Sequence, residues 1–284
     1  MNILTFDIEE WFHIIDIPNI KGEKHWESLE VRIHKNIDRI LELLYIKNQK
    51  ATFFCLGWIG EKYPEVIKKI DEHGHEIGSH SRLHIPVYQM KPEDFEKDTE
   101  YSIKTLEDIT GKKIRMYRAP SFSITSKSIW ALEILAKLGI EIDASIFPAS
   151  RSHGGLETFR YSKPVLINVN GILLKEFPMN TVKLFGRNMV FSGGGYFRLL
   201  PYRLIKFFMK NSSYVMTYFH PRDFDPYQPV LKGLSLGRKF KSYYGLKNAF
   251  SKLEKLITDF EFVDIKTAEK RLKWNTKINL GDIK

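Results

Sequence analysis

A parallel α/β fold, with about seven strands closed or nearly closed into a barrel, is what this sequence predicts. Three observations predict it. Short apolar, β-branched or aromatic runs alternate along the chain with longer stretches of helical period. The 284 residues, 43% of them hydrophobic, carry enough apolar material for one large core or two smaller ones. The polar residues able to do chemistry follow the strands, and a parallel sheet gathers such residues at its carboxyl-terminal rim.

The elements run in order. "NILTFDI" reads as a strand, and "EVRIHKNIDRILELLYIKN" as a helix with Ile33, Ile37, Ile40, Leu41 and Leu44 on one face. "ATFFCLG" is a strand, and "EKYPEVIKKIDEHG" a helix stopped at Gly74. "HEIGSH" is followed by a helix opened by Pro92 and closed by Gly111. "KIRMYRAP" is a strand, "TSKSIWALEILAKLG" a helix ending at Gly139, and "IEIDASIF" a strand. The pattern loosens from Arg151 to Gly171 and resumes with "ILLKEFPMNTV", a helix around "LPYRLIKFFMK" and the strand "YVMTYFHP". A helix "LKNAFSKLEKLITDF" and a last strand "FEFVDI" complete the series. Strand–helix alternation at this spacing requires parallel strands with helices outside.

Composition narrows the partners. The net charge is +10, and residues 201–284 hold 17 Lys+Arg against 8 Asp+Glu, so the basic character lies in the carboxyl-terminal part. Lysine-rich solvation explains it, as would an anionic neighbour. No helix-turn-helix, zinc-finger or other recognition pattern accompanies the charge, which argues against nucleic acid. The one cysteine, Cys55, sits in an apolar run and fits a reducing compartment. "MNILTFDIEEWF" reads as a strand and not as a secretory leader, and no apolar run spans a bilayer. A cytoplasmic place, with the inner membrane face as a variant, is the expectation.

"GHEIGSHSRLH" places His80 and His84 four apart, able to share a face if their loop makes one helical turn. Asp7 and Glu9, two apart on a strand, point to one side. One can bind metal while the other acts as a base, in the manner of hydrolytic sites with about three N/O ligands and open positions. His220 ends the strand "VMTYFH", where a proton donor can sit. Arg118 ends "IRMYR" and can hold the free carboxylate ionised. His75 is assigned to structure, and His13, His25, His34, His73 and His153 to surface or packing. Two histidines and a carboxylate also describe non-haem iron oxygenases, but those sites sit on an all-β fold.

"TFDIEEW", "GHEIGSHSRLH", "YRAPSFS" and "FHP" resemble four motifs of the polysaccharide deacetylases, the NodB-homology family of carbohydrate esterases. "ATFFCLGWIGEKYPEVIKKIDEHGHEIGSH", "WALEILAKLGIEIDASIFP" and "GGGYFRLLPYRL" are similar to the branch that accompanies exosortase and exopolysaccharide gene clusters. The resemblance runs from Asn2 to about Asp264. It implies a deformed (β/α) barrel of about seven parallel strands. Residues 1–284 would form one catalytic domain, with the motifs within about 2–225 and a basic helical extension from about 226. It implies metal-dependent removal of an acetyl group, N-acetyl first, from a sugar of a polysaccharide or its precursor. Asp7 matches the general base, Glu9 the carboxylate ligand with Glu10 in reserve, and His80 and His84 the imidazole ligands. Arg118 matches the residue steadying the base, and His220 the acid. A backbone N–H after Pro120, at Ser121 or Phe122, matches the oxyanion donor. Asp143 and Glu176 are the two candidates to orient His220.

The implied cofactor is a divalent cation, Zn2+ first, with Co2+, Ni2+ or Fe2+ as alternatives. The implied partner is an N-acetylated carbohydrate. A lipid-linked or nucleotide-linked sugar to be deacetylated or deformylated, with peripheral contact to an anionic membrane through "RLLPYRLIKFFMK", is the alternative, and a catalytically weak carbohydrate-binding relative is another. The chain departs from its closer relatives by a glutamate ligand, by Ser121 in place of tyrosine, and by "HPRD", with Arg222 and Asp223, in place of "HPWE".

Overall fold

Seven short parallel strands form the barrel wall in the computed structural model, which describes residues 1–15, 22–184 and 186–283. Val215–Met216 pairs with Asn2–Ile3, and the same amino-terminal run continues as Thr5–Ile8. From there the wall proceeds through Thr52–Cys55, Glu76–Ser79, Met116–Tyr117 and Ile142–Asp143 to Ile172–Glu176, each step parallel. Thr5–Ile8 and Thr52–Cys55 are buried at every position, because helices cover one side and barrel side chains fill the other. Phe6 stacks on Phe53 with ring centres 5.1 Å apart and meets Phe219 at 5.9 Å. Such layers make the barrel a packed core and confine chemistry to its rim.

The helices obey their sequence signals. Pro92 opens the helix Pro92–Thr110, and Gly111 ends it in the left-handed conformation that only glycine adopts cheaply. The helix Ile33–Ile46 lays Ile33, Ile37, Ile40, Leu41 and Leu44 against the core.

Three elements differ from expectation. A strand, Val165–Val169, lies inside the stretch that seemed patternless and forms an antiparallel hairpin with Ile172–Glu176. Its signal was "NVNGIL": Asn170 and Gly171 both take positive φ, as a two-residue turn of this kind requires. The strand expected at "FEFVDI" is reduced to a single parallel bridge, Ile3 to Val263. A short strand, Lys277–Asn279, adds to the outer edge of the hairpin.

The barrel is deformed at one seam. Among the described residues no ladder joins Ile172–Glu176 to Val215–Met216. Side chains close the gap: Asn180 accepts from the Met216 N–H (3.0 Å), and the Tyr214 hydroxyl donates to the Pro178 carbonyl (2.8 Å).

The basic carboxyl-terminal part is built into the same body. Helix Leu246–Asp259 buries Ala249, Leu253, Leu256 and Ile257 in the main core. Helix Tyr202–Lys210 likewise turns Ile205, Phe208 and Met209 inward, so its apolar face is already occupied. Among the described residues, no helix is long and apolar enough to cross a membrane.

Candidate active site

The carboxyl ends of the parallel strands deliver the site residues to one rim. Thr5–Ile8 carries Asp7 in its last turn of pleat and Glu9 just beyond it. Glu76–Ser79 runs directly into His80, Met116–Tyr117 into Arg118, and the strand at 215–216 leads on to His220. Ligand atoms of Glu9, His80 and His84 lie within 4.8 Å of one another, all three residues buried.

The loop at 80–84 does not make the helical turn expected of an H-x-x-x-H pair. Ser81 and His84 instead take positive φ, 68° and 57°, an unusual conformation for residues with side chains. Several bonds hold it there. The Ser81 hydroxyl accepts from the His84 N–H (3.1 Å), while the carbonyls of Ser81 and Arg82 accept from Gly57 and Trp58 (2.9 and 3.1 Å). Strain of this kind persists when the surroundings over-determine it.

The trio fits a divalent cation. His80 Nδ1 donates to the Arg118 carbonyl (2.8 Å), which fixes the ring and leaves Nε2 as a lone-pair donor. Burial pushes the His80 imidazole down to about 4 and His84 well below its ordinary value, so both are neutral, as ligands must be. His84 Nε2 is 3.2 Å from a Glu9 oxygen. Burial raises Glu9 to about 7 against the pull of His220, the behaviour of a carboxylate in a dry pocket that a cation would stabilise. Glu10 is otherwise engaged. Its carboxylate accepts from the N–H groups of Arg32 (2.6 Å) and Ile33 (2.7 Å) and so caps the helix Ile33–Ile46.

Asp7 and His220 adjoin the trio and each other. Asp7 is fully enclosed, and burial alone would raise its pKa. The Arg118 guanidinium, 2.7 Å away, together with His80 and His220, brings it below the ordinary carboxylate value. Arg118 is itself wholly buried, held by Thr5 Oγ1 (2.7 Å), the Ala144 carbonyl (3.2 Å) and the face of Phe54. His220 Nε2 points at Glu9 (3.1 Å) and Asp7 (3.8 Å). Burial opposes its charge, but Glu9, Asp223 and Asp7 overcome this and lift its pKa to about 9.

The expectation that Asp143 or Glu176 orients His220 gives way to a different residue. His220 Nδ1 bonds Asp223 Oδ2 (2.9 Å), and Asp223 is anchored by Arg198 Nε (3.1 Å). Asp223 was visible in "HPRD" as a departure from relatives, and its i+3 spacing from His220 was the signal. Asp143 and Glu176 pair with each other across neighbouring strands, with Ser145 and the Ile146 N–H as further partners. Burial, with the Asp143 charge beside it, holds the Glu176 carboxyl well above its usual range, so it is the protonated member.

That pairing has a stability signature. Glu176 binds its proton more readily folded than unfolded, so its stabilisation is complete below the unfolded value of 4.5 and disappears as pH climbs through the raised folded value. Glu176→Gln keeps a donor for Asp143 and removes the titration. We expect the melting temperature of the wild type to fall more steeply than that of Glu176→Gln between pH 5 and pH 9, by roughly 1–3 kcal/mol in stability. Parallel slopes in thermal unfolding would refute the assignment.

Pro120 opens a tight turn in which Ser121 and Phe122 both take positive φ (53° and 54°). The loop at 151–155 presses on it: a Cβ at Gly154 would sit 2.4 Å from the Phe122 carbonyl, and the Gly155 N–H donates to that same carbonyl (3.0 Å). A small cavity of about 180 Å³ meets Asp7, Glu9, His84, Ser121, Phe122 and His220. His13 and His153, assigned to surface or packing from the sequence, both line it. His13 sits in a cage of Phe12, Trp26 and Trp58, while His75 packs on Phe53 at the far end of its strand.

Comparison with known proteins accords with this geometry. The family model for polysaccharide deacetylases matches residues 4–142, and that of a domain of unknown function, DUF3473, matches 144–270. A peptidoglycan-N-acetylglucosamine deacetylase of Bacillus cereus is 31% identical over 96 residues, 34% of this chain and 35% of its own length. A chitooligosaccharide deacetylase of Azorhizobium caulinodans is 30% identical over 102 residues, 36% of this chain and 47% of its own. These matches therefore span less than half of either relative. A crystal structure from Mycobacterium smegmatis, described by name as a polysaccharide deacetylase, superposes with a TM-score of 0.65 at 18% identity, covering 95% of this chain and 88% of that one. At that identity the likeness speaks for the fold.

Proposed function

Because residues 4–142 match the polysaccharide deacetylase family, we propose that the chain is a metal-dependent hydrolase removing an acetyl group from the nitrogen of a sugar. One observation carries the reading. An ionised carboxylate, Asp7, and a charged imidazole, His220, stand beside the Glu9–His80–His84 trio and open with it into one cavity.

Glu9, His80 and His84 would hold the cation, and their mixed oxygen–nitrogen set suits Zn2+ first. When bound, the cation supplies Lewis acidity towards water and the acyl carbonyl. The chain's residues do the rest. Asp7, kept ionised by Arg118, accepts the proton of the attacking water. The Phe122 N–H already donates to the Ala119 carbonyl (3.0 Å), so the Ser121 N–H is the candidate donor to the oxyanion. As the C–N bond breaks, His220 delivers its Nε2 proton to the departing nitrogen. An amide needs that proton because its anion is too poor a leaving group. Acetate and a free amine result.

The named relatives act on N-acetylated glycans, which makes such sugars the first substrates to try. Release of acetate from N-acetylated oligosaccharides, abolished by a chelator and restored by Zn2+, is the expected result. A fully metal-replete protein that releases none from N-acetyl, O-acetyl or N-formyl substrates would overturn the proposal. A cytoplasmic location belongs to the same proposal and rests on the one, buried thiol of Cys55.

Asp223 is a positioning residue in this scheme. Asp223→Asn should lower kcat by about 10- to 100-fold. It should also move the alkaline limb of the pH–rate profile to lower pH, because Asp223 is one of the groups that raise His220. An unmoved limb would show that Asp223 does not act through the imidazole.

A further inference from the structure

The mechanism leaves Arg151 of the cavity without a task. Arg151 stands beside the catalytic cavity, with its guanidinium carbon 4.7, 5.2 and 5.6 Å from the ring centres of Phe147, Phe122 and Tyr218. Its Nη1 is buried and, among the described residues, has no hydrogen-bond partner. Among the described residues no carboxylate lies within ion-pair reach of it. Three aromatic rings hold the cation in place, yet none neutralises it. Arg151 as a whole is half-buried, but a buried N–H donor left without an acceptor costs free energy unless a ligand supplies one.

The surroundings favour an anion. Past His220 the cavity opens into a groove of about 550 Å³ that shares Arg151, Tyr218, His220 and Arg222 with it. Among the described residues Arg222 donates to the neutral Gln228 side chain (3.1 and 3.2 Å), with the charges of Asp223 and Glu9 nearby, and Lys241 lies further along. Among the described residues Asp223 is the acidic residue of the groove, and it is already bound to His220 and Arg198. The small cavity has room for an acyl group and its attachment, and the groove for the sugar that bears it.

We propose that the acylated sugar carries an anionic group, a carboxylate or a phosphate ester, on the same unit or at the adjoining linkage, and that Arg151 with Arg222 receives it. The proposal rests on the deacetylase reading and narrows its substrate class. A guanidinium suits either group because its planar fork meets two oxygens at once.

Calorimetry on the full-length, Zn2+-loaded chain tests it. The probes are N-acetylglucosamine 1-phosphate, an N-acetylhexosaminuronate, neutral N-acetylglucosamine and acetate. We expect one anionic sugar to bind at least ~10-fold tighter than the neutral one. The arm that wins tells phosphate from carboxylate. Arg151→Gln should bring that ratio towards one, Arg151→Lys should recover part of it, and Arg222→Gln should reduce it independently, with melting curves showing each variant folded. Equal binding of neutral and anionic sugars would overturn the proposal. So would a preference that survives both glutamine variants, or an affinity that acetate alone reproduces. Failure of the deacetylase reading shows separately, as no acetate released from any N-acetylated substrate, while the binding ranking still decides this one.

Discussion

Asp7→Asn should lower kcat by roughly 10²- to 10⁴-fold while the protein still binds one equivalent of Zn2+. The amide matches the carboxylate in shape but cannot take a proton from water. Asp7 lies outside the Glu9–His80–His84 trio, so metal content should be unaffected. The substitution has a second cost. Arg118 has no exposed surface, and among the described residues Asp7 is its carboxylate partner, at 2.7 Å. Leaving that guanidinium unpaired should reduce stability by about 3–5 kcal/mol. Turnover must therefore be measured per folded molecule, with a melting curve beside each rate. Near-wild-type acetate release by a folded Asp7→Asn protein would remove Asp7 from the role of base.

The second large effect is expected at the metal. His84→Asn should weaken Zn2+ binding by at least ~10²-fold and reduce turnover at limiting metal by about 10³-fold, since losing the cation forfeits several kcal/mol of charge stabilisation. Asparagine is the informative replacement. The backbone at 84 has φ of 57°, which asparagine tolerates far better than alanine, so a loss of metal is not confused with a collapsed loop. Its amide oxygen is a poor substitute for a neutral imidazole. Metal content after dialysis, read by mass spectrometry, checks the expectation, and a variant that keeps a full equivalent and near-normal activity would sink the ligand assignment.

Much of this site was legible in the sequence because strand geometry is local. Asp7 and Glu9 share a side through the two-residue repeat of a strand, and the ends of "HEIGSH", "IRMYR" and "VMTYFH" mark where parallel strands deliver their side chains. What depends on irregular backbone was not. The H-x-x-x-H spacing suggested a helical turn, but the loop reaches its geometry through two left-handed residues fixed by contacts from Gly57 and Trp58. Asp143 and Glu176 drew attention as carboxylates near the rim, yet only the strand register shows them facing each other and away from His220. Arg151 lay in the stretch without periodicity, and its ring cage is assembled from segments up to 96 positions apart, beyond the reach of any local pattern.

The contact between Gly154 and the turn after Pro120 ties two tasks together. The loop at 151–155 carries Arg151 and also braces the Phe122 carbonyl, next to the Ser121 amide proposed for the oxyanion. A sugar that pulls on the first will tug on the second. Under the two proposals above, selectivity and speed would share that contact, and a glycan of the wrong charge would be penalised in rate as well as in occupancy.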